Sequence, residues 1–92
     1  MGKYEVTTTT GSKYYIDHDT GWWTKNNGIW APLTRLATGE WDGTRHNVPD
    51  ITEWAEVEKP EPGKNMYIQG RGMHDWWLTT PVVSVEEVEE WA

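Results

Sequence analysis

Residues 3–17 read KYEVTTTTGSKYYID, and this stretch decides the fold class. Tyr4, Val6 and Thr8 alternate with Lys3, Glu5 and Thr7, the period of two that puts every second side chain on one face of a strand. β-Branched and aromatic residues dominate the run, and they suit a pleated, half-buried surface. Thr10, Gly11 and Ser12 form a hairpin signal, after which Tyr14, Tyr15 and Ile16 supply a returning strand. An antiparallel hairpin is the expectation for this stretch.

The same grammar continues outward. DHDTG at 17–21 carries the Asx and glycine chemistry of a second turn. Trp22, Trp23 and Thr24 make a third strand, which ends at KNNG (25–28), where Asn-Gly tolerates positive φ. In IWAPLTRL (29–36) Pro32 cannot donate to a ladder, so the run predicts an edge strand bent at the proline. ATGEW follows with another turn, and DGTRHNVPD (42–50) has no periodicity and reads as an exposed loop.

Residues 50–58, DITEWAEVE, point two ways. Asp50 and Glu53 have capping-box spacing, whereas Trp54 to Glu58 alternate; one helical turn at 51–53 passing into a strand at 54–58 satisfies both. NMYIQG (65–70) is a compact strand that should pair with residues 75–80 across the intervening glycines. Beyond Pro81, Ser84 and Glu87 repeat the capping-box spacing, and Val85, Val88 and Trp91 share a helical face. That predicts a short C-terminal helix docking Trp91. Glu89 and Glu90 in its last turn oppose the macrodipole, so the helix depends on tertiary packing. The whole predicts one all-β domain over residues 1–92, a small antiparallel barrel or roll of SH3-like or OB-like size with a short C-terminal helix.

Composition narrows the function classes. There is no cysteine, which excludes disulfides and thiolate metal sites and suits a reducing cytoplasm. The chain has eight Trp, four Tyr and no Phe, so large aromatics are expected to carry core burial. Mean hydropathy is −0.81, and no stretch approaches the apolar run of a membrane span or a signal peptide, so a cytoplasmic protein is expected. The net charge of −7 is uneven: residues 1–46 hold five basic and five acidic groups, residues 47–92 three basic and ten acidic. That half would repel a phosphate backbone, which disfavours direct nucleic-acid binding.

The candidate site residues lie in two places, TGWWTK (Trp22, Trp23) and RGMHDWW (Arg71, His74, Trp76, Trp77). On a strand, adjacent indoles must point to opposite faces. One of each pair can enter the core, and its neighbour is either covered by the fold or left as an aromatic patch for a partner, a sugar or a base. Arg71 between Gly70 and Gly72 is either a solvated turn residue or a clamp for a phosphate or carboxylate. His18, His46 and His74 each stand near an aspartate but lack local ligand spacing, so no metal site is expected. No nucleotide-loop, nucleophile-elbow or dinucleotide motif occurs, so neither an enzyme nor a bound cofactor is expected.

YEVTTTTGSKYYID and TTPVVSVEEV resemble segments of small accessory proteins encoded by bacteriophages of actinobacteria, in which an N-terminal hairpin precedes a TTPVVS-type segment and an acidic helical tail. The resemblance covers residues 4–17 and 79–88 and brings no catalytic residues. It implies a phage protein acting in the host cytoplasm. The expected function is binding and modulation of a host protein through exposed tryptophans and an acidic surface. Two other readings stay open: an oligomeric sponge that sequesters a nucleotide-like signal, and a carbohydrate-binding module. A homo-oligomer would bury the outer indoles at a subunit interface.

Overall fold

The structure is a computed structural model and describes residues 2–44, 46–47, 49–72 and 75–91. The hairpin comes first: β1 (Lys3–Thr8) pairs antiparallel with β2 (Lys13–Asp17) in the register Val6↔Tyr14 and Tyr4↔Ile16. Tyr4, Val6 and Thr8 are buried and Lys3, Glu5 and Thr7 are not, as the alternation requires. Gly11, at φ +83°, closes the turn by donating its N–H to Thr8 O. β3 (Trp22–Lys25) adds to β2, and in the turn after it Asn26 and Asn27, rather than Gly28, take positive φ.

The run at 29–36 serves both sheets. β4 (Ala31–Pro32) is the edge of the first sheet, with Pro32 opposite Trp22 where no further strand needs its missing N–H. The chain then crosses at Leu33 and Thr34 and starts β5 (Arg35–Gly39) in the second sheet. A 3₁₀ turn at Ile51–Glu53, capped by Asp50 accepting from Thr52 N–H, leads into β6 (Ala55–Glu56), so the helical turn is realised and the strand is shorter than the 54–58 expected. β7 (Asn65–Gln69) and β8 (Trp76–Leu78) form the second hairpin.

The C-terminal segment corrects the sequence reading, because it is not a helix. β9 (Val82–Val88) returns to the first sheet and pairs antiparallel with β1. The strand orders are β4-β3-β2-β1-β9 and β6-β5-β7-β8. Val85, Val88 and Trp91 have the i, i+3 spacing that suggested a helix, but residues 82–88 pair with β1, and the register shifts between Thr7 and Thr8. Thr7 faces Ser84 while Thr8 faces Val82, so Val83 is an extra bulged residue. The bulge lets Val82 and Val85 share the inner face of a strand although they are three apart. A short helix with acids at its C-terminus has little stability of its own, whereas β1 offers a full ladder of unpaired backbone groups.

The barrel expectation is corrected too. The two antiparallel sheets pack across a shared core and do not close into a barrel; among the described residues each keeps two open edges. Nor do indoles fill the core. Its buried members are Tyr4, Val6, Tyr14 and Ile16 from the first sheet, Leu36, Met66 and Ile68 from the second, with Val82 and Leu33. Two tyrosines and medium-sized aliphatic side chains fill the space between the sheets, and of the eight tryptophans only Trp23 packs against this core, from a partly buried position. Each fully buried aliphatic side chain stabilises the fold by roughly 1.5–3 kcal/mol. The tryptophans are displaced to the margins, and this positions the candidate site. Among the described residues no helix is long and apolar enough to cross a membrane.

Candidate functional site

Strand alternation splits the first tryptophan pair. Trp23 lies opposite the buried Ile16, faces inward and packs against the core; Trp22 lies opposite Asp17 and faces outward. The second pair also splits, with Trp77 opposite the buried Ile68 and Trp76 opposite Gln69. Facing inward is not burial for Trp77, which remains 42% exposed because β8 is the edge of its sheet. Its indole N–H donates to Tyr14 Oη at 3.0 Å. Tyr14 in turn stacks on Trp23 (6.3 Å, 26°), and Lys25 Nζ stands 4.8 Å from the Trp77 ring centroid. On the other face Trp76 stacks with Tyr67 at 6.4 Å.

These side chains meet at the seam between the β4 edge of one sheet and the β8 edge of the other. The cleft there, about 560 Å³, is walled by Trp23, Trp30, Pro32, Trp76 and Trp77, with Asp75 at its rim. Trp30, which follows the Asn26–Asn27 turn, was no sequence candidate; its only signal was its place beside a proline at a predicted edge.

Trp22 belongs to a second cavity on the outer face of the first sheet. This one, about 500 Å³, is lined by Asp17, Thr20, Trp22, Trp30 and Trp91, so Trp30 is a wall of both. Trp91 docks as the sequence suggested, but from a bent segment beyond β9 and not from a helix. It packs edge-on against Tyr15 at 5.3 Å and at a tilt against Trp30 at 5.7 Å. Its indole N–H donates to Asp17 Oδ2 at 3.4 Å, and Thr20 N–H donates to Oδ1 at 3.1 Å. Burial, which leaves Asp17 5% exposed, works against its ionisation; the Thr20 bonds, the Trp91 bond and the Lys3 charge outweigh it and hold the carboxyl below the ordinary range.

Comparison with family models, curated proteins and solved structures finds no match for this chain. What the cavities can do therefore follows from their own chemistry. Both present indole faces beside a carboxylate, an arrangement that takes up cationic or apolar groups and repels anions.

Arg71, Gly72 and Asp75 of RGMHDWW belong to turn architecture. Gly70 N–H donates to Asp75 O at 2.6 Å, and Gly72 N–H donates to Asp75 Oδ2 at 3.2 Å. A Cβ on Gly70 would lie 2.9 Å from Asp75 Cβ, and one on Gly72 2.7 Å from Asp75 Oδ2, so the close approach that needs these glycines is that of Asp75. Arg71 is exposed in this turn and does not line the cleft. His74 lies outside the described residues. His18 sits in the turn after β2, His46 in the 40–50 loop, and among the described residues no group of three His, Cys, Asp or Glu is placed to hold a metal.

Proposed function

We propose that this protein is a non-enzymatic binding module that seats a basic segment of a partner protein in the cleft between β3–β4 and β8. The observation that carries this reading is the convergence of four indoles on a cavity whose one charged lining residue, among those described, is Asp75. Exposed tryptophans and arginines supply much of the energy of protein interfaces. Lys25 over Trp77 is an internal instance of the contact that an incoming Lys or Arg would make on the remaining indole faces. The net charge of −7 favours a basic partner and speeds encounter with it. The phage resemblance makes that partner a host protein, bound in the bacterial cytoplasm and modulated by the contact. A nucleotide would meet Asp75 and the net charge without Arg71 at hand, which weakens the sponge reading.

Tryptophan fluorescence titrated with short Lys/Arg-bearing peptides tests the proposal, with acidic peptides and nucleotides as the other arms. Basic peptides alone should shift the emission, less so at high salt. Asp75→Asn and Trp76→Ala should each weaken the response about tenfold, that is ~1.4 kcal/mol. A response to nucleotides with none to basic peptides would overturn it.

A further inference from the structure

The second cavity shares Trp30 with the proposed partner cleft and has no other lining residue in common with it. We infer that the solvent-open aromatic box lined by Trp22, Trp30 and Trp91 together with Asp17 is a binding site for a quaternary or methylated ammonium group.

Three observations converge on that class. Two of the walls are not parallel: Trp30 and Trp91 are tilted 53° to each other, and Tyr15, which packs on Trp91 outside the lining, is turned 87° to it. A planar base needs a slot between parallel rings, whereas a roughly spherical cation is satisfied by faces that surround it. The one charged lining residue among those described is a carboxylate, and Asp17 stays ionised despite its burial. A buried negative charge behind aromatic faces is screened little and repels a phosphate or carboxylate ligand.

Hydrogen bonding points the same way. Both Asp17 oxygens already accept bonds, one from Thr20 and one from Trp91, and the Trp91 indole N–H is used in doing so. A sugar would have to find new partners for its hydroxyls in a lining that is mostly apolar. A trialkylated ammonium carries little or no donor capacity and asks only for π faces and a nearby negative charge. The Lys3 ammonium is held by Asp19 at 3.1 Å, outside the lining, so it does not fill the box itself. The volume of about 500 Å³ suits a head group and the start of the chain that carries it.

The decisive experiment is titration of the whole protein with choline and with tetramethylammonium, followed by the indole N–H signals in NMR. The control is the carbon isostere of choline, the same shape without charge. Both cations should shift the Trp22, Trp30 and Trp91 signals, and the neutral isostere should bind at least about fivefold more weakly. Trp22→Leu, which keeps an apolar side chain at this 39% exposed position of β3, should weaken choline binding by a similar factor, while Trp76→Ala should leave it unchanged. Equal binding of choline and its isostere would reduce the box to an apolar pocket and overturn the inference. So would the absence of any shift, or loss of binding with Trp76→Ala and not with Trp22→Leu, which would move the ligand to the partner cleft. Because the two variants separate the cavities, failure here leaves the partner-cleft proposal standing on its own peptide titration.

Discussion

The indole N–H of Trp77 and the phenol oxygen of Tyr14 are 3.0 Å apart, a hydrogen bond that ties the edge strand of one sheet to the middle strand of the other. Tyr14 is buried, and burial pushes its phenol pKa up, with the Trp77 bond opposing that shift. A double-mutant cycle of Trp77→Phe and Tyr14→Phe should return a coupling of about 0.5–1.5 kcal/mol in urea denaturation. Additive effects would mean that the sheets are not joined here.

The strand identity of residues 82–88 makes a prediction that a helix would not. Glu86 is directly opposite Glu5 across the β1–β9 ladder, and Glu5 is met on its other side by Lys13 Nζ at 3.0 Å. Like charges facing each other on a sheet are destabilising. Glu86→Lys should therefore raise stability by about 0.2–0.5 kcal/mol at low ionic strength, fading in high salt as exposed pairs do. In a C-terminal helix the same change would instead place a lysine three and four residues before Glu89 and Glu90, so the strand is distinguished by coupling to Glu5, which a double-mutant cycle of Glu86→Lys with Glu5→Gln reads.

Asp17 sets part of the acid limb of stability. Its carboxyl is depressed in the folded state, so its contribution is complete above the ordinary aspartate pKa of about 4. That contribution is lost as pH falls through the lower folded value, where the bonds from Thr20 and Trp91 lose their ionised acceptor. Urea midpoints measured across the acidic range should fall more steeply for wild type than for Asp17→Asn. Parallel curves would show that the carboxylate does not carry this dependence.

Gly70 couples the RGMHDWW turn to the partner cleft. An added methyl would press on Asp75 Cβ at 2.9 Å and on Pro32 O at 3.2 Å, and both residues line the cleft. Gly70→Ala should cost about 1–3 kcal/mol by overpacking and should weaken basic-peptide binding beyond that of a surface control such as Arg71→Ala. A variant of unchanged stability and affinity would mean that the turn yields without strain.

The local pattern was legible wherever a side chain's role depends on its own strand. The alternation of Tyr4, Val6 and Thr8, the punctuation by Gly11 and by the asparagines, the proline at an edge and the short turn at Ile51–Glu53 all rest on backbone chemistry within a few residues. The splitting of each tryptophan pair onto two faces was legible for the same reason.

Tertiary structure decided the rest, because it depended on what lies across the sheet. Val85, Val88 and Trp91 carry a spacing that serves a helix, and only the free edge of β1 selects the bulged strand over residues 82–88. The indoles looked like core from their size, yet the inter-sheet gap admits smaller side chains and turns Trp77 into an exposed, inward-facing residue at an edge. Trp30 and Trp91 gain their roles from strands and turns more than fifty residues apart in the chain. The sequence by itself determined the local strands other than β9 and the facing of each side chain along them. Which faces were buried, and which tryptophans met to form a cavity, followed from strand order, a property of long-range pairing that no local spacing encodes.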